Sequence, residues 1–218
     1  NGREMKGYQY LMCRHMRMHL QKRSFRILCV SLFAVIVVVS IVAYLRSDAY
    51  QFTQLFGRKW RYENGTLYYL DLGFKQDLTG ISEEDVLDLP EYVFTVDHIE
   101  YIKGKVEGQL DDQQVLYYRI ENRSDVPFAI SRVSFIEREI HGRWYLCPVP
   151  NGISIMKHEF LAPGDSILQM CALYILSHDL NEATRVVEKT EVRNLPKGHY
   201  RLLKAIYNGY ISMEFDIP

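Results

Sequence analysis

The dominant feature of the hydropathy pattern is one uninterrupted apolar run. Residues 27–45 read ILCVSLFAVIVVVSIVAYL, with no charged side chain and only two serines. A helix of about 20 residues is long enough to cross the roughly 30 Å hydrocarbon core of a bilayer. A helix buried in a soluble protein usually keeps one polar face, which this run lacks. The pattern therefore predicts a single transmembrane helix at 27–45.

Charged residues on the two sides of this run predict its orientation. Residues 1–26 form a basic segment with seven Lys and Arg against one Glu, a net charge of +6, whereas the whole chain carries −1. Because cytoplasmic flanks are enriched in Lys and Arg, we expect 1–26 in the cytoplasm and 46–218 outside it. A cleaved signal peptide is the alternative, since SDA at 47–49 offers small residues to a signal peptidase. Its apolar core would normally be shorter, so we favour a single-pass signal anchor in the cell membrane.

Residues 46–91 predict a juxtamembrane hairpin followed by a short helix. Asn64-Gly65 lies between aromatic-rich runs, and this dipeptide favours a type I′ turn, so 58–63 should pair with 66–72. Further along, ISEEDVLDLPEY at 81–92 begins with a serine followed by acidic residues. Such a start is typical of a helix N-terminus, so we expect one short helix that ends before Pro90.

The pattern from residue 92 to 218 is that of an all-β domain. Short apolar-polar alternations are separated by turns rich in Gly, Pro, Asn and Asp, as in sandwiches and barrels. Strands are predicted near 92–103, 114–121, 127–138, 143–147, 153–159, 166–176, 184–192, 199–207 and 210–216. The stretch 178–190 is predicted to be an inserted loop or a short helix.

Four residues of this pattern, one on a middle strand and three near its end, favour an immunoglobulin-like β-sandwich. In such folds a tyrosine at the start of the penultimate strand turns a corner and bonds backbone upstream. Tyr200 stands there, two residues after Gly198, and Leu195 is placed to close the end of the core. Trp144 is placed where these folds bury a central tryptophan. The fold class predicted is all-β, an immunoglobulin-like sandwich that follows one N-terminal transmembrane helix.

The same region resembles bacterial immunoglobulin-like domains of Gram-positive surface and membrane proteins. The resemblance rests on YYRIENRSDVPFAIS at 117–131, GRWYLCPVP at 142–150, FLAPGDS at 160–166 and LPKGHYRLLKA at 195–205, and covers about 92–218. The long segment ILSHDLNEATRVVEKTEVRN before the last corner departs from the family pattern. The resemblance implies an extracytoplasmic setting and supplies no catalytic residues.

Two surfaces are candidates for an interaction with a partner. The hairpin region 57–81 resembles one choline-binding cell-wall repeat, although such repeats act in arrays; we interpret it as an aromatic hairpin that includes Trp60, Tyr62 and Tyr68. The last strands carry Arg193, Arg201 and Lys204 between apolar residues. A patch for an anionic wall polymer or lipid headgroup is one interpretation, and the solvated face of an amphipathic strand is the simpler one. Pairing of a partner with an open strand edge is the third.

Cysteine usage leaves two alternatives open. Cys147 and Cys171 are both predicted outside the cytoplasm, where disulfides persist, so they are candidates for a bond. The alternative is that both are small buried hydrophobic residues.

The sequence offers no recognisable catalytic or cofactor motif. It has no CxxC or HExxH metal spacing, no GxSxG elbow and no phosphate-binding glycine loop. With 48% hydrophobic and 24% charged residues, it has the composition of a globular protein, and its charge split suggests a membrane rather than a nucleic acid as partner. We therefore expect no enzyme and no cofactor, but a module that binds a protein or cell-wall partner. A sensory ectodomain for a small envelope ligand is the alternative.

Overall fold

The computed structural model describes residues 30–72, 74–103, 112–150, 158–180, 184, 186–206 and 208–218. The chain forms two compact units, residues 1–50 and 51–218. The predicted basic segment 1–26 and the first three residues of the predicted transmembrane helix lie outside the described residues.

The first unit contains helix α1, Val30–Leu45. Its large apolar side chains are exposed to between 38% and 69%. Within the described residues, no single helix has both the length and the apolarity to cross a membrane. One bent pair, Val30–Leu45 with Asp48–Phe56, meets that criterion by length and composition only.

The described residues of the second unit lie mostly in antiparallel strands, so the predicted all-β class is confirmed. It begins within helix α2, Asp48–Phe56. The strands are β1 Trp60–Glu63, β2 Thr66–Asp71, β3 Phe74–Asp77, β4 Tyr92–Lys103, β5 Asp112–Asn122, β6 Phe128–Ser131, β7 Ser134–Ile140, β8 Arg143–Cys147, β9 His158–Leu161, β10 Ser166–Ala172, β11 Tyr174–Leu180, β12 Val187–Asn194, β13 Gly198–Ile206 and β14 Gly209–Ile217.

Among the described residues these strands form five sheets, and we call the two that contain the most residues the larger sheets. The larger sheets have the orders β10-β5-β4 and β14-β13-β7-β8, and the smaller ones are β1-β2-β3, β11-β12 and β6-β9. One hydrophobic core joins these sheets. It includes Tyr118 and Ile120 of the β10-β5-β4 sheet and Ile136 and Leu202 of the β14-β13-β7-β8 sheet, all fully buried. The sheets thus bury their apolar faces against each other, which fits the alternation seen in the sequence.

Residues 51–91 contribute to this same core. Phe52, Leu55 and Phe56 lie on one side of α2 at helical spacing and are buried, as are Leu67 and Tyr69 of β2. The predicted hairpin is present, with β1 paired to β2 in the register Glu63 opposite Thr66.

Four local predictions differ from the structure. The strand predicted at 127–138 is interrupted after Ser131 and forms β6 and β7, which belong to different sheets. The expected helix near 81–92 is only a 3₁₀ turn at Glu83–Asp85, capped by the Ser82 hydroxyl, because the chain then pairs with β14 at Tyr210. The stretch predicted as one strand at 166–176 divides at Leu173, where β10 leaves β5 and β11 begins. Much of 178–190 belongs to the β11-β12 hairpin rather than to a loop or helix, and the predicted strand at 153–159 lies mostly outside the described residues.

Candidate functional site

Arg201 does not form the predicted exposed basic patch. It lies on β13, which has strand neighbours on both sides, and its side chain is only 2% exposed. Its Nε donates to Glu137 Oε2 at 2.5 Å, and Nη2 donates to the Ile81 carbonyl at 2.9 Å. Glu83 binds Nη1 from the same overlying segment. The sequence correctly predicted the alternation of polar and apolar residues along β13. It did not show that residues 79–87 cover the face of β13 that carries Arg201, so the surface assignment of Arg201 was wrong.

Lys204 is also buried, on the opposite face of β13. Alternate strand residues share a face, so Lys204 lies with Tyr200 and Leu202 towards the core. Its Nζ donates to Ser134 Oγ at 3.3 Å and stands 5.7 Å from the centre of the Tyr118 ring. Burial lowers the pKa of Lys204 to about 8. The predicted role of Lys204 in a surface patch is therefore wrong.

The third predicted cation, Arg193, borders an open cleft. The cleft has a volume of about 610 Å³ and lies where the C-terminal end of α2 meets the β11-β12 hairpin. We call it the junction cleft; its charged and polar lining includes Arg58, Lys59, Ser177, Asp179, Glu191 and Arg193. The Arg193 guanidinium packs so closely over Gly57 that a Cβ there would lie 3.0 Å from Nη2. Three cations and two carboxylates thus present both signs of charge to a polar ligand.

A hydrogen-bonded cluster around Asp71 supports one wall of the junction cleft. Lys59 Nζ lies 2.7 Å from Asp71 Oδ1, and His178 Nδ1 lies 2.6 Å from Asp71 Oδ2. Burial opposes ionisation of Asp71, but the hydrogen bonds from His178 and Lys59 outweigh it and hold the pKa of the carboxyl below its usual value. Sequence reasoning missed this cluster because Asp71 and His178 are 107 positions apart and no motif links them.

The three aromatic residues predicted for the hairpin surface do not share one face. Trp60 packs edge-on against Phe52, with ring centres 5.5 Å apart, and is partly buried. Tyr62 is on the same side of β1 and is 53% exposed. Tyr68 is on the other side, because its neighbour Tyr69 is opposite Trp60 in the register. The period of two along a strand separates Tyr68 from the other two rings, so the predicted common surface was wrong.

Of the residues predicted for the corner, Leu195 and Tyr200 lie in the core and Gly198 is partly buried. Tyr200 is fully buried and its hydroxyl donates to the Pro196 carbonyl at 2.6 Å, four residues upstream. Leu195 is 3% exposed, and a Cβ on Gly198 would meet the Arg138 guanidinium at 3.1 Å. The hydroxyl bond thus ties the start of β13 to the turn that precedes it.

Trp144 does not occupy the central buried position predicted for it. It is only partly buried and lies on β8, the outer strand of the four-stranded sheet. Its ring is covered by the Arg201 guanidinium, 4.6 Å from the ring centre. Tyr145 points to the opposite face and packs against Phe52 in the core. Successive residues of a strand point to opposite faces, so Tyr145 takes the core position that was expected for Trp144.

Cys147 and Cys171 are buried free thiols, so the disulfide alternative is not realised. Burial raises the pKa of the Cys171 thiol to about 12 and raises the pKa of Cys147 further. Thiols held in this protonated state are poor nucleophiles and poor metal ligands. Among the described residues, moreover, no three His, Cys, Asp or Glu side chains converge on a point that would hold a metal ion.

Comparisons with known proteins add little to this geometry. No family profile and no curated protein sequence matches the chain. A β-glucosidase involved in saponin metabolism from intestinal bacteria is similar over 78% of this chain, at 11% identity and a TM-score of 0.28. A β-glucosidase from Kluyveromyces marxianus in complex with glucose is similar over 58%, at 14% identity and 0.26. A mutant β-glucosidase from Listeria innocua in complex with laminaribiose is similar over 74%, at 11% identity and 0.26.

This chain spans only 21%, 14% and 20% of those three chains, respectively. TM-scores of this size carry no argument about fold or activity.

Proposed function

We propose that this protein is a non-catalytic, membrane-anchored interaction module whose immunoglobulin-like sandwich lies outside the cytoplasm. Its partner is a protein or a component of the cell envelope. The observation that carries the proposal is the exposure of α1. Its apolar side chains point outwards all round the helix, whereas the second unit packs a large set of apolar side chains into a core of its own. An apolar helix without a polar face is stable in lipid rather than in water.

The strand order supports the immunoglobulin-like part of the proposal. Sheets of three and four antiparallel strands share one core, which is the two-layer arrangement of a sandwich. The hydrogen bond from Tyr200 to Pro196 adds the corner contact at the start of the penultimate strand.

The junction cleft is the proposed partner site. Its charged residues are held by defined contacts, with Lys59 fixed by Asp71 and Arg193 packed over Gly57. Side chains held in this way lose less conformational entropy when they bind a partner. A small polar envelope ligand in the same cleft, read out as a signal, is the second candidate function, because a volume of about 610 Å³ suits a small molecule.

Alkaline extraction of membranes tests the anchor. The intact chain should stay in the membrane pellet, and Val37→Arg should release it, because an arginine at the centre of a span costs about 2.5–3.5 kcal/mol. Val37→Leu is the matched control and should behave as wild type. Release of the intact wild-type chain would refute membrane anchoring. Release of a fragment that has lost about the first 46 residues would support the cleaved signal peptide instead.

Affinity capture with the full chain in detergent tests the cleft. The extracts are solubilised membrane and isolated wall from the source cells. Arg193→Glu should weaken retention of the partner roughly tenfold or more, whereas Lys197→Glu, a change at an exposed position outside the cleft, should not. Equal retention by Arg193→Glu and wild type would exclude the cleft. A rise in melting temperature with a low-molecular-weight envelope fraction, lost in Arg193→Glu, would favour the sensory function.

A further inference from the structure

Strand edges of the two larger sheets differ in how they are protected. An open edge offers unpaired N–H and C=O groups, and proteins usually blunt it with charges, bulges or a covering segment. The β4 edge has a register shift between Val96 and His98 and carries Asp97 and Glu100. The β8 edge is covered by residues 78–79, since Leu146 N donates to the Leu78 carbonyl at 2.9 Å.

The β14 edge is protected both by a covering segment and by charged residues. Leu87 N donates to the Tyr210 carbonyl at 2.7 Å, so the segment after the 3₁₀ turn covers the start of the strand. Glu214 and Asp216 lie further along β14. If a second copy approached with its own β14 edge, these carboxylates would repel the same carboxylates of that copy.

The β10 edge has no such protection. Ser166–Ala172 reads SILQMCA, without charge, proline or glycine, and its pairing with β5 runs without a register shift. Leu168 and Met170 are 46% and 64% exposed. An uncharged, regular edge with exposed apolar side chains is the kind that pairs with another strand.

The ladder between β10 and β5 shows which backbone groups face outwards. Leu173 N donates to Gln114 O, and Asn122 N donates to Asp165 O. In an antiparallel pair, hydrogen-bonded positions alternate with positions whose groups point away. The odd-numbered residues therefore bond to β5, and the outward N–H and C=O groups belong to Ser166, Leu168, Met170 and Ala172. Within the part of the chain that the structure describes, no backbone group bonds to these outward groups.

We propose that β10 pairs with β10 of a second copy of this chain, antiparallel about a two-fold axis at Gln169. In that register Ser166 is opposite Ala172 of the second copy, and Leu168 is opposite Met170. All four outward residues then fall at hydrogen-bonded positions, which gives about eight hydrogen bonds across the axis. The contact is isologous and closes as a dimer.

Side-chain chemistry favours a second copy over an unrelated strand. The two outward apolar residues are spaced so that each Leu168 meets a Met170 of the other copy, which covers both exposed side chains. Ser166–Ala172 contains no charged residue, so no like charges come together where the two copies of β10 pair. The other edges of the two larger sheets lack this combination of open backbone and self-complementary side chains. The surface is separate from the junction cleft, so the inference goes beyond the proposed function.

Proline substitution gives a specific test on the full chain in detergent. Met170 N–H points away from β5, so Met170→Pro removes a donor that the monomer does not use and blocks the approach of the second copy. Met170→Lys adds a charge at the same position. The control is Tyr101→Lys. It introduces a charge at a similarly exposed position on β4, the other edge strand of the same sheet. Sedimentation equilibrium measures self-association, and circular dichroism with a melting curve shows that each variant is folded.

We expect wild type and Tyr101→Lys to dimerise, and folded Met170→Pro and Met170→Lys to dimerise roughly tenfold more weakly or not at all. With both Leu168 and Met170 replaced by Cys, oxidation should join position 168 of one copy to position 170 of the other. A wild-type chain that stays monomeric at its highest soluble concentration overturns the proposal. A dimer that both Met170 variants retain at wild-type strength, such as one formed through α1, overturns it as well. If Met170→Pro alone fails to fold, Met170→Lys and the crosslink decide.

Discussion

Arg201 and Glu137 face each other across β13 and β7, with Nε and Oε2 2.5 Å apart and almost no solvent access to either side chain. The Glu137 carboxylate also accepts from the Ile81 backbone N–H at 2.5 Å. The ion pair and this backbone hydrogen bond therefore hold the segment 79–83 against the four-stranded sheet. Loss of one partner leaves the other charge buried without compensation.

Removal of the guanidinium should destabilise the fold strongly. For Arg201→Met we expect the free energy of unfolding to fall by about 3–5 kcal/mol, measured by urea denaturation. Lys75→Met, which removes the exposed pair with Glu63, is the control and should change it by no more than about 1 kcal/mol. A similar loss for both variants would show that burial does not govern the strength of the Arg201 pair.

Lys204 should make stability depend on pH in the alkaline range. Burial lowers its pKa in the folded state to about 8, below the usual 10.5, so the unfolded chain binds more protons between these values. Stability linked to Lys204 therefore rises as pH increases from about 8 to 10.5, by about 1.4 kcal/mol per unit of pKa difference. Below pH 8 the full cost of charging the buried amine remains.

The difference between wild type and Lys204→Met isolates this contribution. The groups that face Lys204 include Tyr118, Ser134, Cys171 and Glu159. Burial raises the pKa of the tyrosine and of the thiol in the folded chain, so these two groups titrate in the same range only when the chain is unfolded. They are present in both proteins, so their contributions largely cancel. The stability of wild type relative to the variant should increase with pH when urea melts are compared at pH 7, 8, 9 and 10. A difference that is constant with pH would mean that Lys204 has its ordinary pKa.

The Tyr200 hydroxyl should contribute measurably to stability. Tyr200→Phe removes the donor to the partly buried Pro196 carbonyl, so the free energy of unfolding should fall by about 1–3 kcal/mol. Tyr62→Phe, on an exposed ring, serves as control and should leave the melting temperature unchanged. An unchanged melting temperature for Tyr200→Phe would refute the corner interpretation.

Both cysteines of the second unit should react as thiols only after unfolding. We expect Cys147 and Cys171 to resist alkylation in the native chain and to be fully alkylated in denaturant without reductant, because both are buried and unbonded. Peptide mass spectrometry identifies the labelled positions. A peptide that joins the two cysteines would restore the disulfide alternative.

Local rules predicted the parts of the fold that local geometry determines. Asn64 and Gly65 have φ values of 50° and 86°, as a type I′ turn requires, so the hairpin could be located from two letters of sequence. Helix α2 was not predicted, because its 9 residues are fewer than the window over which the helical spacing of Phe52, Leu55 and Phe56 would be distinctive. The alternation along β13 was also visible in the sequence.

The candidate site depended on contacts that no local rule contains. Arg201 is buried because Glu83, 118 positions earlier, lies over it, and Asp71 meets His178 across 107 positions. Alternation assigns residues to two faces of a strand but does not show which other segments cover each face. For this reason the strands were predictable, whereas the burial of Arg201 and Lys204 was not.

The free thiols of Cys147 and Cys171 have a consequence for where the second unit can fold. Its core is held by packing, hydrogen bonds and ion pairs alone, with no crosslink between these two positions. Its stability therefore does not vary with the reduction potential of the surroundings. The same strand assembly should form in a glutathione-rich cytosol, under anaerobic growth and in oxygenated medium, without an oxidoreductase to assist it.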